Sequence, residues 1–142
     1  MSQIASLVAF AKANNTDETR VHEFGFIPNW QAQEINMETG VKVNEVTKVI
    51  TDHGILHAIK QHGDDAIEKP RGQKGITDAD FDLIPKIVAD FDSVQKGNTK
   101  GGNKGLLFIK KINNINYHVV MTLKNNRGNP KLEFSTMYAR LK

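Results

Sequence analysis

The sequence of 142 residues contains no cysteine, which excludes disulfide bonds and thiolate chemistry. It also lacks a long apolar run. The N-terminal stretch Ile4–Ala11 is too short and too weakly apolar to span a bilayer. A basic leader followed by a cleavage site is missing as well. We therefore expect a soluble, cytoplasmic protein that does not contact a membrane.

Two signatures of nucleotide and ester chemistry are absent. The glycine-rich segment 101–105 precedes a predicted strand and lacks the Gly-Lys-Ser/Thr ending of a phosphate-binding loop. The chain also has no Gly-x-Ser-x-Gly elbow. The sequence thus gives no indication of a nucleoside-triphosphate hydrolase or of a serine hydrolase of the α/β type.

The charge of the chain is unevenly distributed. Residues 1–92 carry nine Lys or Arg against fifteen Asp or Glu, whereas residues 93–142 carry ten against one. A basic half can attract phosphates by long-range electrostatics, which is typical of proteins that bind nucleic acids. It can equally be a solvated surface that keeps the protein soluble.

Helical spacing and alternation predict the first elements in the order helix, strand, helix, extended segment and helix: residues 2–13, 21–27, 30–39, 41–50 and 52–62. Gly40 is expected to end the helix over residues 30–39. Asp52 can cap the helix over residues 52–62, and Gly63 is expected to end it. Residues 64–75 contain Pro and Gly and are predicted to form a loop. A helical face follows over residues 81–91, where Pro85 either kinks the helix or begins a second short one.

After residue 92 the pattern changes to period two. Three strands are predicted over residues 106–112, 117–124 and 132–139, with Asn113-Asn114 as a tight turn and Gly97–Gly105 as a loop. The fold class is therefore α+β, with N-terminal helices packed on a C-terminal antiparallel sheet of about four strands.

Two histidines of the third helix are candidates for proton transfer, because the histidine side chain titrates near neutral pH. His57 and His62 lie five residues apart, so their directions on a helix differ by about 140°. They converge only if the helix ends before His62. His53 and His57 have the spacing of metal ligands, but further ligands are missing, so we predict no metal and no other cofactor.

Thr136 and Tyr138 share one face of the last predicted strand and could donate hydrogen bonds to a phosphate. Leu132 and Phe134 have the same parity and resemble core residues. Thr136 and Tyr138 then form the rim of the core, unless the strand bulges. His118 on the middle strand marks a second candidate face.

Three basic residues in the loop and sheet are candidates for substrate binding: Arg71, Lys110 and Lys124.

The chain resembles a family of phage-encoded nuclease domains grouped with barnase, EndoU, the tRNase colicins and RelE. The resemblance covers roughly residues 25–140 and rests on four elements in a fixed order: Thr39–Ile50, His57-x4-His62-Gly63, Ile76–Val88 and Ser135-Thr136-Met137-Tyr138. It implies a nuclease domain over residues 25–142, with residues 1–24 as a helical appendage.

The resemblance further implies metal-independent cleavage of RNA, with His57, His62, Thr136 and Tyr138 as the functional positions. The 2′-hydroxyl would attack the adjacent phosphate and leave a 2′,3′-cyclic phosphate. The alternative is an inactive phage structural or accessory module on the same fold, which binds nucleic acid or another protein. A third reading is a toxin whose partner is an immunity protein. Convergence of the four residues on one cleft would favour the enzyme.

Overall fold

A computed structural model describes residues 2–13, 18–100, 103–126 and 128–141. Its α-helices are α1 Gln3–Ala13, α2 Asn29–Thr39, α3 Asp52–His62, α4 Asp65–Glu68 and α5 Ile84–Ala89. Its strands are β1 Val21–Phe26, β2 Thr47–Thr51, β3 Gln73–Lys74, β4 Ser93–Lys100, β5 Asn103–Ile112, β6 Ile115–Asn126 and β7 Asn129–Arg140. None of the described helices is long and apolar enough to cross a membrane.

The strands form one mixed sheet in the order β1-β2-β7-β6-β5-β4, and the short β3 also pairs with β7. All pairs are antiparallel except β2 with β7, which run parallel over Thr47–Val49. The α+β class is confirmed, whereas the prediction of a purely antiparallel sheet of about four strands is wrong. The sheet is larger because β1 and β2 precede α3 and join the C-terminal strands through one parallel pair.

Local sequence signals explain several boundaries. Gly40 adopts a left-handed conformation with φ 77° and ends α2, as predicted. Asn113 and Asn114 both have positive φ, at 51° and 65°, which is the conformation of the tight hairpin turn predicted there. The cap of α3 is Thr51 instead of Asp52, because the Thr51 Oγ1 accepts the Gly54 N–H at 3.0 Å.

Two predicted loops contain regular structure. Residues 64–75 hold α4, a 3₁₀ helix over Lys69–Arg71 and β3. Of the predicted loop Gly97–Gly105, residues 97–100 and 103–105 belong to β4 and β5, and residues 101–102 lie outside the described part. These elements are short or glycine-rich, so tertiary contacts determine them. At Pro85 the chain begins a second short helix, α5, after a 3₁₀ helix over Asp78–Leu83.

One hydrophobic core lies between the helices and one face of the sheet. The buried residues of α1 belong to it: Ile4, Leu7, Val8 and Ala11. The predicted boundary between residues 24 and 25 falls inside β1. The described N-terminal residues therefore pack against the same core as the predicted nuclease segment.

Asp80 joins three elements through a nearly buried carboxylate. It accepts hydrogen bonds from Lys74 Nζ at 2.6 Å, from the Thr77 N–H at 2.8 Å and from the Tyr117 hydroxyl at 3.0 Å. Burial acts to raise the pKa of Asp80, but these partners and the Lys74 charge lower it below its usual value. Burial and the Asp80 carboxylate raise the pKa of Tyr117 to about 12.

We predict that Asp80→Ala lowers the free energy of unfolding at pH 7 by about 1–3 kcal/mol, because it leaves buried donors unpaired. Since the folded-state pKa of Asp80 is depressed, its contribution is present above 3.8 and is lost as pH falls through the folded value. Chemical denaturation at several pH values measures both effects. Glu34→Ala, on the exposed side of α2, is the control and should change little. Equal losses in the two variants would contradict the assignment.

Candidate active site

A cleft of about 750 Å³ lies between α3 and the face of the sheet opposite the core. Residues from α3 and its cap form one wall: Thr51, His53, Gly54, His57 and Gln61. Residues of β6 and β7 form the other: Val120, Thr122, Lys124, Glu133, Phe134, Ser135, Thr136 and Tyr138. Lys96, Gly97, Asn103 and Leu107 of β4 and β5 complete the lining. The volume is in the range of small-ligand sites.

A bulge in β7 turns its polar residues into this cleft. Val120 pairs with Thr136, and the next residue of β6, Met121, pairs with Phe134, so Ser135 is an extra residue on β7. Its hydroxyl is 2.6 Å from that of Thr122 on β6. Because of this insertion, even-numbered residues of β7 face the core before Ser135 and odd-numbered residues face it afterwards.

The two halves of β7, before and after Ser135, bury residues of opposite parity. Leu132 and Phe134 are buried before the bulge, and Met137 and Ala139 are buried after it. Thr136 and Tyr138 consequently point away from the core. The condition set by the sequence, that the strand must bulge, is met.

α3 lies close against the bulged part of β7. A Cβ atom at Gly54 would be 2.8 Å from the backbone oxygen of Phe134, a separation that a real side chain does not tolerate. Gly54 therefore permits the close approach of the helix to the strand. On α3, His53, His57 and Gln61 follow one another at intervals of four and share the face that lines the cleft.

His57 and His62 point in different directions, because α3 continues to His62. His57 is exposed and lines the cleft. His62 is not part of the lining, and its side chain is 17% exposed. Its ring centroid lies 5.4 Å from that of Tyr138, which does line the cleft. The structure thus brings His57, Thr136 and Tyr138 together, whereas His62 lies outside the lining, beside Tyr138, so the expected convergence of all four residues on one cleft is not met.

Aromatic contacts fix the ring of Tyr138. His118, its cross-strand partner on β6, stacks on it with a centroid separation of 4.6 Å and an interplanar angle of 15°. His62 contacts the same ring at an angle of 39°. The Arg140 guanidinium carbon lies 5.7 Å from the ring centroid. A ring held from several sides presents its hydroxyl in a defined position.

His118 is buried, and this burial lowers its pKa below the usual value of 6.5. The Asn116 backbone oxygen, 3.1 Å from Nδ1, acts in the opposite sense, and the charge of Arg140 lowers the pKa further. His118 is therefore neutral at neutral pH. In this state it supports the Tyr138 ring without adding a charge beside it.

We predict a stability change linked to His118. A histidine whose folded-state pKa is depressed contributes stability above pH 6.5, and this contribution is lost as pH falls through the folded value. His118→Gln removes the titrating group and should flatten this part of the stability profile. Urea denaturation between pH 7.5 and pH 4.5 measures it. His22→Gln, on β1, is the control, and an unaltered slope in His118→Gln would contradict the prediction.

The predicted substrate-binding cations are dispersed. Lys124 lines the cleft but lies 2.8 Å from a Glu133 oxygen. Lys110 pairs with Tyr117 across the strands, on the core side of the sheet, and binds Asp90 at 3.3 Å and Asp92 at 3.5 Å. Arg71 is exposed in a 3₁₀ helix and does not line the cleft. The structure thus does not bring Lys110 and Arg71 to the site, because their positions depend on pairings that the sequence does not reveal.

Sequence reasoning missed several polar residues near the cleft, among them Lys96, Gln61 and Glu68. Lys96 and Gln61 line it. Glu68 Oε1 lies 2.6 Å from His62 Nδ1, and the Glu68 side chain is fully buried. The helical spacing His53-His57-Gln61 could have identified Gln61. Glu68 has no such signal, since it lies in a polar segment that reads as a solvated loop.

Thr136 carries an unusual hydroxyl. Its Oγ1 is buried and has no hydrogen-bond partner in the described part of the chain. Buried polar atoms are normally paired, so an unpaired one in a cleft wall is suited to a bound polar group. Among the described residues no group of three or more His, Cys, Asp or Glu is arranged to hold a metal ion.

Comparison with known proteins agrees with the resemblance noted in the sequence. The model of the family described as "phage-Barnase-EndoU-ColicinE5/D-RelE like nuclease 3" matches residues 25–140. The chain therefore belongs to this nuclease family. No curated protein and no solved structure matches the chain. The family supports nuclease activity in general terms, and the four site residues remain a prediction.

Proposed function

We propose that this nuclease is a metal-independent endoribonuclease that cleaves RNA in the cleft between α3 and β7. The observation that carries the proposal is the bulge at Ser135, which turns Thr136 and Tyr138 out of the core and toward His57. A histidine, a hydroxyl and a phenol then face one space, with His62 beside Tyr138. This is a set of proton-transfer and phosphate-binding groups.

The chemistry needs one proton acceptor and one proton donor. One group takes the proton of the 2′-hydroxyl as its oxygen attacks the adjacent phosphorus. The bond to the 5′-oxygen breaks, and a second group returns a proton to that leaving oxygen. The products are a 2′,3′-cyclic phosphate and a 5′-hydroxyl. His57, which lines the cleft, is one candidate, and His62, which contacts Tyr138 from outside the lining, is the other. The assignment of base and acid stays open between them.

The remaining groups suit the phosphate. Thr136 lines the cleft, and its hydroxyl, which has no partner in the described part of the chain, is a candidate donor to a phosphate oxygen there. The Tyr138 hydroxyl is a second donor on the same face. Lys96 lines the same cleft and favours an anion there, whereas Lys124 is paired with Glu133. Donors aimed at the charge that develops on the phosphorane stabilise the transition state.

We predict that the protein cleaves single-stranded RNA in the presence of EDTA and leaves a 2′,3′-cyclic phosphate. His57→Ala and His62→Ala should each lower the rate by about 10²–10⁴-fold, because each removes a positioned acid–base group. His22→Ala changes a histidine of β1 outside the cleft and should leave the rate unchanged. Labelled RNA resolved on a gel, with mass spectrometry of the product ends, measures rate and chemistry together.

A matched substrate tests the mechanism. An RNA with a single 2′-deoxy nucleotide at the cleaved position should resist cleavage there, since it lacks the attacking hydroxyl. Cleavage of this substrate, or inhibition of the wild type by EDTA, would refute the proposed chemistry. Binding of RNA without any cleavage would favour the alternative, a module that only binds nucleic acid.

A further inference from the structure

Glu68 is a buried carboxylate at the end of the short helix α4. The residue is fully buried, and Oε1 lies 2.6 Å from His62 Nδ1. An ionised carboxylate only accepts hydrogen bonds, so the imidazole Nδ1 is the donor. Burying a carboxylate is unfavourable unless it is paired, and His62 is the partner that the described residues supply.

Hydrogen bonds hold the segment of residues 64–76, which carries Glu68, close to His62. The Ile76 N–H donates to the His62 backbone oxygen at 2.7 Å, and the Gly75 N–H donates to Asp65 Oδ1 at 2.6 Å. Asp64 caps α4 by accepting the Ala66 N–H at 2.9 Å. These bonds close the segment on itself and hold Glu68 against the imidazole. The pairing is therefore part of the fold and not a chance surface contact.

Pairing with an ionised carboxylate favours the tautomer of neutral His62 that carries its proton on Nδ1. With its proton on Nδ1, neutral His62 has Nε2 as its free acceptor, and within the described residues Nε2 has no hydrogen-bond partner. His62 also contacts Tyr138, which lines the cleft. A chain of contacts thus runs from the buried carboxylate through the imidazole to the wall of the proposed site.

We propose that Glu68 is a positioning residue for His62, an inference that rests on the proposed ribonuclease function. Glu68 holds the Nδ1–H tautomer and stabilises the imidazolium that forms when Nε2 gains a proton. It does not itself take up the proton. The second carboxylate oxygen, Oε2, is buried and has no partner in the described part of the chain. Among the described residues, His62 is thus the side chain that pairs with this carboxylate.

The test is Glu68→Gln, which keeps the shape and removes the charge. We expect kcat to fall by about 10- to 10⁴-fold with KM nearly unchanged, the range for residues that orient a histidine. In the His62→Ala background the same change should have no further effect on kcat. Asp65→Asn is the control, because it makes the same change from carboxylate to amide in the same segment, keeps an acceptor for the Gly75 N–H and does not touch the imidazole. It should retain kcat.

A second readout does not depend on cleavage. The ¹⁵N chemical shifts of the His62 ring should show the Nδ1–H tautomer in the wild type at a pH where the ring is neutral. A mixture of tautomers is expected in Glu68→Gln. An Nε2–H tautomer in the wild type would overturn the proposal, as would unchanged kcat in Glu68→Gln or an equal further loss in the His62→Ala background.

The two proposals fail in different ways. If the wild type cleaves no RNA, the ribonuclease function and the kinetic role of Glu68 both fall, and the tautomer alone reports whether Glu68 orients His62. If the wild type cleaves RNA and Glu68→Gln is fully active, only the assignment of Glu68 falls. If Glu68→Gln does not fold, the wild-type ring spectrum remains decisive, because it needs no variant.

Discussion

The bulge at Ser135 is the constraint on which the proposed site depends. A strand alternates its side chains, so Leu132 and Phe134 in the core would bring Thr136 and Tyr138 into the core as well. One extra residue, Ser135, shifts this alternation by one position. Both halves of β7 therefore contribute side chains to the core, and the second half also presents polar side chains to α3. The Thr122–Ser135 contact marks the point where the reversal occurs.

The ion pairs change the expectation that the whole basic C-terminal half attracts phosphates. The acidic N-terminal half does not remain apart from the basic C-terminal half, since Asp90 and Asp92 bind Lys110 and Glu23 binds Lys131. These pairs involve Lys110 and Lys131, two of the ten basic residues in the C-terminal half. The cations that matter for an anionic substrate are then the few at the cleft, among them Lys96. Net charge along the sequence was therefore a poor guide to which lysines line the site.

The sequence predicted the elements with strong local signals and failed where distant contacts decide. Helix α3 was predicted with its observed bounds, because Gly63 and the apolar spacing mark it. The turn at Asn113-Asn114 was predicted for the same kind of local reason. The parallel pairing of β2 with β7 joins residues more than 80 positions apart, and no local pattern encodes it. Whether β7 bulges was left open, since parity alone does not show an inserted residue.

The residues of the candidate site also fall into those that short motifs predicted and those that depend on distant contacts. His57, Thr136 and Tyr138 came from short motifs, and the structure places them in one cleft. Lys110 was chosen for its charge, and its carboxylate partners on the core side of the sheet were invisible in the sequence. Glu68 was not identified, because its burial results from the way residues 62–76 fold around His62.

The most direct test of the account is the orientation of Met137 and Tyr138 in solution. Nuclear Overhauser spectroscopy of the protein with labelled methionine methyl groups and aromatic rings measures it. The account predicts nuclear Overhauser effects from the Tyr138 ring to the rings of His118 and His62. It also predicts such effects from the Met137 methyl to core methyl groups and none from that methyl to water. A Met137 methyl on the solvent side, with the Tyr138 ring in the core, would show that β7 has no bulge at Ser135 and would contradict the account.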